Sequence, residues 1–188
     1  MTERCGWCEG DPLYEAYHDT EWGVPVHEPL KLFENLVLES FQAGLSWITI
    51  LRKREAFRAQ FDGFDPEKLA SWGAENTSNA MQNPGIIRHR GKIEAAITAA
   101  RLYAEIESRE GFAPFLWQFT GGEVIQPARR AAADIPATTK EAEAMSKALK
   151  KQGFKFCGPV ICYAFMEASG MVNDHLVTCH RHAALTSL

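Results

Sequence analysis

Cysteine and histidine are the first residues in this chain whose spacing suggests chemistry. Cys5 and His18 lie near one end and His175-x3-Cys179 near the other. Two thiols and two imidazoles form the donor set of a tetrahedral zinc site, and four protein ligands would close it, making the metal structural. On a helical turn, His175 and Cys179 would point the same way. Cys8 stands beside Cys5, and His27, His180 and His182 are further donors, so spacing alone leaves the set open. Buried core thiols and surface histidines are the alternative.

Rings and carboxylates make the second group. Trp7, Tyr14, Tyr17, Trp22 and Trp47 fall early in the chain, and Tyr14 and Tyr17 stand three apart among Asp11, Glu15, His18, Asp19 and Glu21. Aromatic residues are ordinarily core, yet rings in so polar a setting can stack a flat, electron-poor ligand. Glu39 falls in the last turn of the most apolar segment, where the helix dipole and desolvation both oppose a negative charge. Asn35, Glu39 and Gln42 share one stripe of that helix, either a solvent edge or the lining of a pocket.

Cations make the third. Arg88-His89-Arg90-Gly91-Lys92 opens a long helix, where positive charge opposes the dipole; it is either a solvated charge run, the commoner case, or a place where an anion binds. Lys150-Lys151-Gln152-Gly153-Phe154-Lys155-Phe156-Cys157-Gly158-Pro159 is a glycine-flanked turn between two helices. Such a turn can hold phosphate through main-chain N–H groups, or be a plain helical hairpin.

The elements that position these groups read as helices. Apolar residues surround most of 28–42, which Gly44 closes. Ser46 can cap a helix over about 47–61. Asp65-Pro66 caps a short helix ending near Trp72. A helical face of Ile93, Ala96, Ile97, Ala100, Tyr103 and Ala104 marks about 88–108. Thr138 to Glu141 forms a capping box for a helix to about Lys151, and Gly158-Pro159 starts another that Gly170 stops. The stretch 111–137 is the least regular, with a brief strand-like 123–125. The expected fold is all-α, one domain over 1–188, with a middle lobe of about 50–135 and the two chain ends forming the other lobe.

Composition bounds the rest. The chain has 188 residues, 46% apolar and 23% charged, enough for one packed domain and too apolar for disorder. No apolar run reaches a bilayer span, and the polar start lacks a signal-peptide pattern, so no membrane and a cytoplasmic location are expected. A net charge of -4 makes any nucleic-acid site a local patch on an acidic body. Five cysteines argue against a disulfide framework.

Longer motifs then run in order along the chain. They are Arg4-Cys5-Gly6-Trp7, Asp11-Pro12-Leu13-Tyr14, Tyr17-His18-Asp19 and Glu21-Trp22-Gly23-Val24-Pro25. Gln42-Ala43-Gly44-Leu45-Ser46-Trp47-Ile48-Thr49, Gly85 through Ile93, and Val172-Asn173-Asp174-His175 follow. Together these resemble the type I 3-methyladenine-DNA glycosylases of the helix-hairpin-helix superfamily. The resemblance implies a monomer that removes N3-methyladenine from alkylated double-stranded DNA, with structural zinc on Cys5, His18, His175 and Cys179 and Cys8 a bystander. It implies a base pocket of Trp7, Tyr14, Tyr17, Trp22, Gln42 and Trp47, with Glu39 the catalytic residue, as recognition group and electrostatic helper. It puts a duplex wedge at Gly44 and Leu45 and a backbone-gripping hairpin at Gly153, Lys155 and Gly158.

Two positions sharpen that implied mechanism. Asn173 stands where many hairpin glycosylases carry a catalytic aspartate, and Val160 where lyase relatives carry a lysine. The expectation is a monofunctional hydrolase. Ser40-Phe41 departs from the smaller residues common after the glutamate. The rivals are a zinc-stabilised DNA-binding module without catalysis, which would not need Glu39 among rings, and a zinc hydrolase, which would need an open metal position.

Overall fold

An acidic cap followed by proline starts three of the helices. Asp11, Glu28 and Asp65 each accept two backbone amides of the turn they open, satisfying donors that a helix end leaves bare. The computed structural model describes residues 3–186. The α-helices there are α1 (Pro12–Thr20), α2 (Pro29–Gln42), α3 (Trp47–Gln60), α4 (Pro66–Ala70), α5 (Ala74–Ala80) and α6 (Arg90–Arg109). They continue as α7 (Phe112–Trp117), α8 (Lys140–Gln152), α9 (Pro159–Ala168) and α10 (His180–Thr186). Among the described residues there is no sheet and no helix long and apolar enough to cross a membrane.

The all-α expectation holds, with local differences. Helices α5 and α7 were not expected: α5 is mostly polar, and α7 is six residues that show no helical period. The cap of α8 is Thr139, one residue later than the expected box, because Thr139 is extended and accepts the Ala142 amide. Ser46 sits at the cap of α3, but its hydroxyl meets Thr49 Oγ1 at 2.8 Å instead of a backbone amide. The strand-like hint at 123–125 survives as one parallel bridge between Ile125 and Val172.

Helix α2 is the hub. Leu32, Phe33, Leu36, Val37, Leu38 and Phe41 are buried, and the helix packs against α3, α6, α7 and α9. Burying an apolar side chain of this size contributes about 1.5–3 kcal/mol, so α2 is held by its surroundings on nearly every side.

A second join ties the chain's start to the end of α9. Gly23 N donates to Glu167 O at 3.1 Å and Val26 N to Ser169 O at 3.0 Å. Gly170 lies beneath this clamp with φ +67, and a Cβ there would stand 2.2 Å from the Val24 carbonyl carbon. No side chain fits that gap. Gly170→Ala is therefore expected to cost about 3 kcal/mol or more, read as a drop in the urea midpoint at unchanged m-value.

Candidate functional site

Helix α1, the loop after it, the end of α2 and the start of α3 converge on one cavity of about 340 Å³. Trp7, Tyr14, Tyr17, Trp22, Glu39, Gln42 and Trp47 all line it. The spacing on α1 explains part of this, since Tyr14 and Tyr17 share a helix face. Trp7 packs edge-on to Tyr14 at 4.7 Å and to Trp22 at 5.0 Å, and Tyr17 leans on Trp47 at 5.4 Å. Trp7 is half-exposed at the rim, whereas Tyr17 and Trp22 are buried.

Three polar atoms around this cavity are buried without a partner: Glu39 Oε2, Gln42 Oε1 and Trp47 Nε1. Unpaired buried groups cost about 1–3 kcal/mol each and mark a place prepared for something else. Glu39 is the extreme case. It is 2% exposed, and burial alone pushes its carboxyl up to about 8. Burial therefore favours the neutral form of Glu39.

The sequence reading missed Ala132, Ile135, Ala164 and Glu167, which complete the lining. Glu167 had the same signal as Glu39, an acid in the last turn of an apolar helix. Its carboxyl is raised by burial first, then by Asp174 and Glu39. Ala132 and Ile135 come from the irregular stretch and carry no signal. The expected polar stripe divides: Asn35 donates to Ser169 Oγ at 3.2 Å and lines a smaller neighbouring cavity, because α2 turns that edge toward the end of α9.

Behind the ring wall lies a buried group that can hold a metal. Donor atoms of Cys5, His18, His175 and Cys179 lie within 4.8 Å of one another. Cys5 Sγ is 3.7 Å and Cys179 Sγ 3.5 Å from His175 Nδ1, and Cys179 Sγ is 3.4 Å from His18 Nε2. The far imidazole nitrogens are engaged too, His18 Nδ1 with Asp19 at 2.8 Å and His175 Nε2 with the Trp22 carbonyl at 3.0 Å. Arg4 braces Asp19 in turn. Cys8 instead donates to the Cys5 carbonyl, and His27 stacks on Trp117. The expected helical turn for His175 and Cys179 is absent. Val172 pairs with Ile125, so the chain leaves α9 in a loop that brings the two donors together without a helix.

Gly44, Leu45, Gly153 and Lys155 are on the surface. Gln42 to Leu45 forms a type II turn: Ala43 has φ -47 and ψ 115, Gly44 has φ +81, and Leu45 N donates to Gln42 O at 2.6 Å. Leu45 is left 41% exposed. Gly153 ends α8 with φ +113, Lys155 is exposed, and Gly158 caps α9. In the run from Arg88 to Lys92, Lys92 is part of neither an anion site nor a solvated face. Lys92 is buried, and its Nζ donates to Phe41 O and Ala43 O, so the negative end of α2 supplies what the positive start of α6 lacked. Asn173 is buried and donates to Gln126 and the His182 carbonyl, outside the cavity.

Comparison with known proteins finds similar sequences and folds. The methyladenine glycosylase family model matches residues 7–182. DNA-3-methyladenine glycosylase 1 of Escherichia coli (strain K12) is 53% identical over 178 residues, 94% of this chain and 95% of that protein. A crystal structure of 3-methyladenine DNA glycosylase I superposes with TM-score 0.94 at 51% identity, covering 96% of this chain and 100% of the other. A tyrosine-to-phenylalanine variant of 3-methyladenine DNA glycosylase I, in complex with 3-methyladenine, superposes with TM-score 0.91 at 40% identity, covering 94% and 96%.

Glu39 carries a stability consequence. Its carboxyl moves from an ordinary 4.5 to about 8 on folding, so the folded chain keeps a proton that the unfolded chain sheds in between. The stability this group supplies is complete below pH 4.5 and is lost as pH rises toward 8. Glu39→Gln, neutral throughout, is expected to match the native chain at pH 4.5 and exceed it by about 2–4 kcal/mol at pH 8.5. Urea unfolding at the two pH values measures this.

Proposed function

Because this chain belongs to the methyladenine glycosylase family, we propose that it is a DNA repair hydrolase. It flips N3-methyladenine out of alkylated double-stranded DNA, cleaves the N-glycosidic bond and leaves an abasic site. The observation that carries this reading is the cavity where five rings surround a buried, unpartnered carboxyl.

N3-methyladenine in DNA is a cation, and its glycosidic bond is already weak because the base departs neutral. The chain therefore has no need of a strong general acid. Flipping the nucleotide costs a few kcal/mol, which the pocket offsets. Each electron-rich ring that faces the cation contributes about 0.5–2 kcal/mol. Glu39 accepts hydrogen bonds from the amino edge of the base, and its ionisation opposite the cation favours the flipped base in the pocket. Gln42 Oε1 and Trp47 Nε1 supply a further acceptor and a donor. Water is the eventual nucleophile. Asn173, buried against Gln126, cannot act as a base, and Val160 carries no amine, so no lyase step follows excision.

Gly44 and Leu45 enter the duplex as a wedge, as suits an exposed leucine on a tight turn. The hairpin of Gly153, Lys155 and Gly158 holds the phosphate backbone, Lys155 by charge and the first amides of α9 by hydrogen bonds.

Cys5, His18, His175 and Cys179 hold a structural zinc. Zinc bonds of about 2.3 Å to sulfur and about 2.0–2.1 Å to nitrogen, set tetrahedrally, put neighbouring donors about 3.6 Å apart. The sulfur–nitrogen separations of 3.4–3.7 Å agree with that. The Asp19 and Trp22 contacts orient both imidazoles, as metal-bound histidines require. Bound zinc would supply charge neutralisation for two buried thiolates, and all four positions would be filled by protein.

Chromatography of methylated duplex DNA after incubation is expected to show released 3-methyladenine, no 7-methylguanine and no strand cleavage. Glu39→Gln is expected to slow release about a hundredfold with DNA affinity unchanged, and equal losses of both would remove Glu39 from the chemistry. Stripping zinc with a strong chelator, or Cys179→Ala, is expected to lower the melting temperature by about 10 °C or more. Metal analysis of the untreated protein is expected to give one zinc per chain.

A further inference from the structure

Lys92 lies where three separate parts of the molecule meet. Its Nζ donates to Phe41 O at 2.8 Å and to Ala43 O at 2.6 Å. Phe41 is in the last turn of α2, two residues beyond Glu39, and Ala43 is the first corner residue of the turn that presents Leu45. The ammonium also stands 5.7 Å from the centroid of Phe156, within range of a cation–π contact. Phe156 belongs to the hairpin between α8 and α9, and His89, the cap of α6, packs edge-on against the same ring at 5.7 Å.

The cost of this arrangement argues for its use. Lys92 is 5% exposed, and burial lowers the pKa of its ammonium. It also sits in the first turn of α6, where the helix dipole opposes it. A hydrophobic residue would fill the space without either penalty. What a hydrophobic residue cannot do is bond the two carbonyls at the end of α2, where a helix leaves acceptors without partners of its own. The type II turn has a single internal bond, from Leu45 N to Gln42 O, and Lys92 Nζ adds a bond from α6 to its Ala43 carbonyl.

We propose that Lys92 is a positioning residue for base excision from duplex DNA. It locks the turn carrying Leu45 to the end of α2 and to the hairpin, so that wedge, pocket and backbone grip keep one fixed spacing. The proposal rests on the reading of Leu45 as the wedge. Lys92 touches neither base nor reacting atoms and acts through the turn. A misplacement of about 1 Å at a distance from the chemistry can cost about a hundredfold in rate.

The split between duplex and single-stranded substrate tests it, since an unpaired base needs no wedge to leave its stack. Lys92→Met keeps the stem and removes the donors. Single-turnover release of 3-methyladenine is expected to fall about tenfold or more from duplex DNA. Release from the same methylated strand alone, and affinity for free 3-methyladenine followed by tryptophan fluorescence, are expected to stay near native. The Leu45→Ala loss and the Lys92→Met loss are expected to be strongly non-additive on duplex DNA, because both disable one device. Phe156→Leu removes the ring beneath the ammonium, leaves both carbonyl bonds, and is expected to give the same duplex-selective loss at smaller size. It serves the same cycle with Leu45→Ala should Lys92→Met not fold.

Equal losses on both substrates, weaker binding of the free base, additivity with Leu45→Ala, or undiminished duplex excision would each overturn the proposal. An unaltered protein that releases no 3-methyladenine from either substrate would overturn the base-excision reading as well. An active unaltered protein with any of the former results would overturn the role of Lys92 alone.

Discussion

The burial of one carboxyl at the end of α2 is the constraint around which the rest is arranged. Glu39 has no cation beside it and an oxygen without a partner. A soluble chain carries such a group only if the surrounding packing is strong enough to hold it there. Helix α2 meets that demand because helices pack on four parts of its surface. The helix ends on a buried ammonium in place of water, so its last carbonyls are satisfied while the carboxyl one turn back is not. The pocket thus keeps a buried carboxyl at a cost in stability that a neutral residue would remove.

The second constraint is the closure of the chain on itself. Three rings of the pocket, Tyr14, Tyr17 and Trp22, are on α1 and the loop after it, a segment that packs against Leu51, Ala168 and Cys179. It is held by two joins. One is the clamp of residues 23–26 over Gly170. The other is the Cys and His group, which takes one thiol and one imidazole from each end of the chain. His175 binds the Trp22 carbonyl and packs edge-on against the Trp22 ring at 4.5 Å. The Cys and His group and the ring wall of the cavity are therefore in direct contact through Trp22.

Much of this was legible from the order of residue types. The caps, the apolar circumference of 28–42 and the face of 93–104 specify helices through local rules, which act within a few residues and need no knowledge of the fold. The anomaly of Glu39 was visible for the same reason, as an acid where both dipole and burial oppose it. Glu167 carries the same anomaly on α9 and could have been found by the same rule. The six-residue α7 could not, because one and a half turns of mostly apolar sequence have no period to read.

What the sequence by itself determined, then, was most of the helices, the residue types able to bind a cationic ring, and a group of Cys and His donors with the chemistry of a metal site. Only the tertiary structure decided which of these meet. His175 and Cys179 converge through a loop where the spacing suggested a helix. Asn35 parts from Glu39 although they lie on one stripe, and Lys92 abandons solvent for the carbonyls of α2. The physical reason is common to all three. Secondary structure follows from interactions a few residues long, whereas a donor, a ring or a cation acquires its partner from packing between segments far apart in the chain, and sequence spacing carries no measure of that distance.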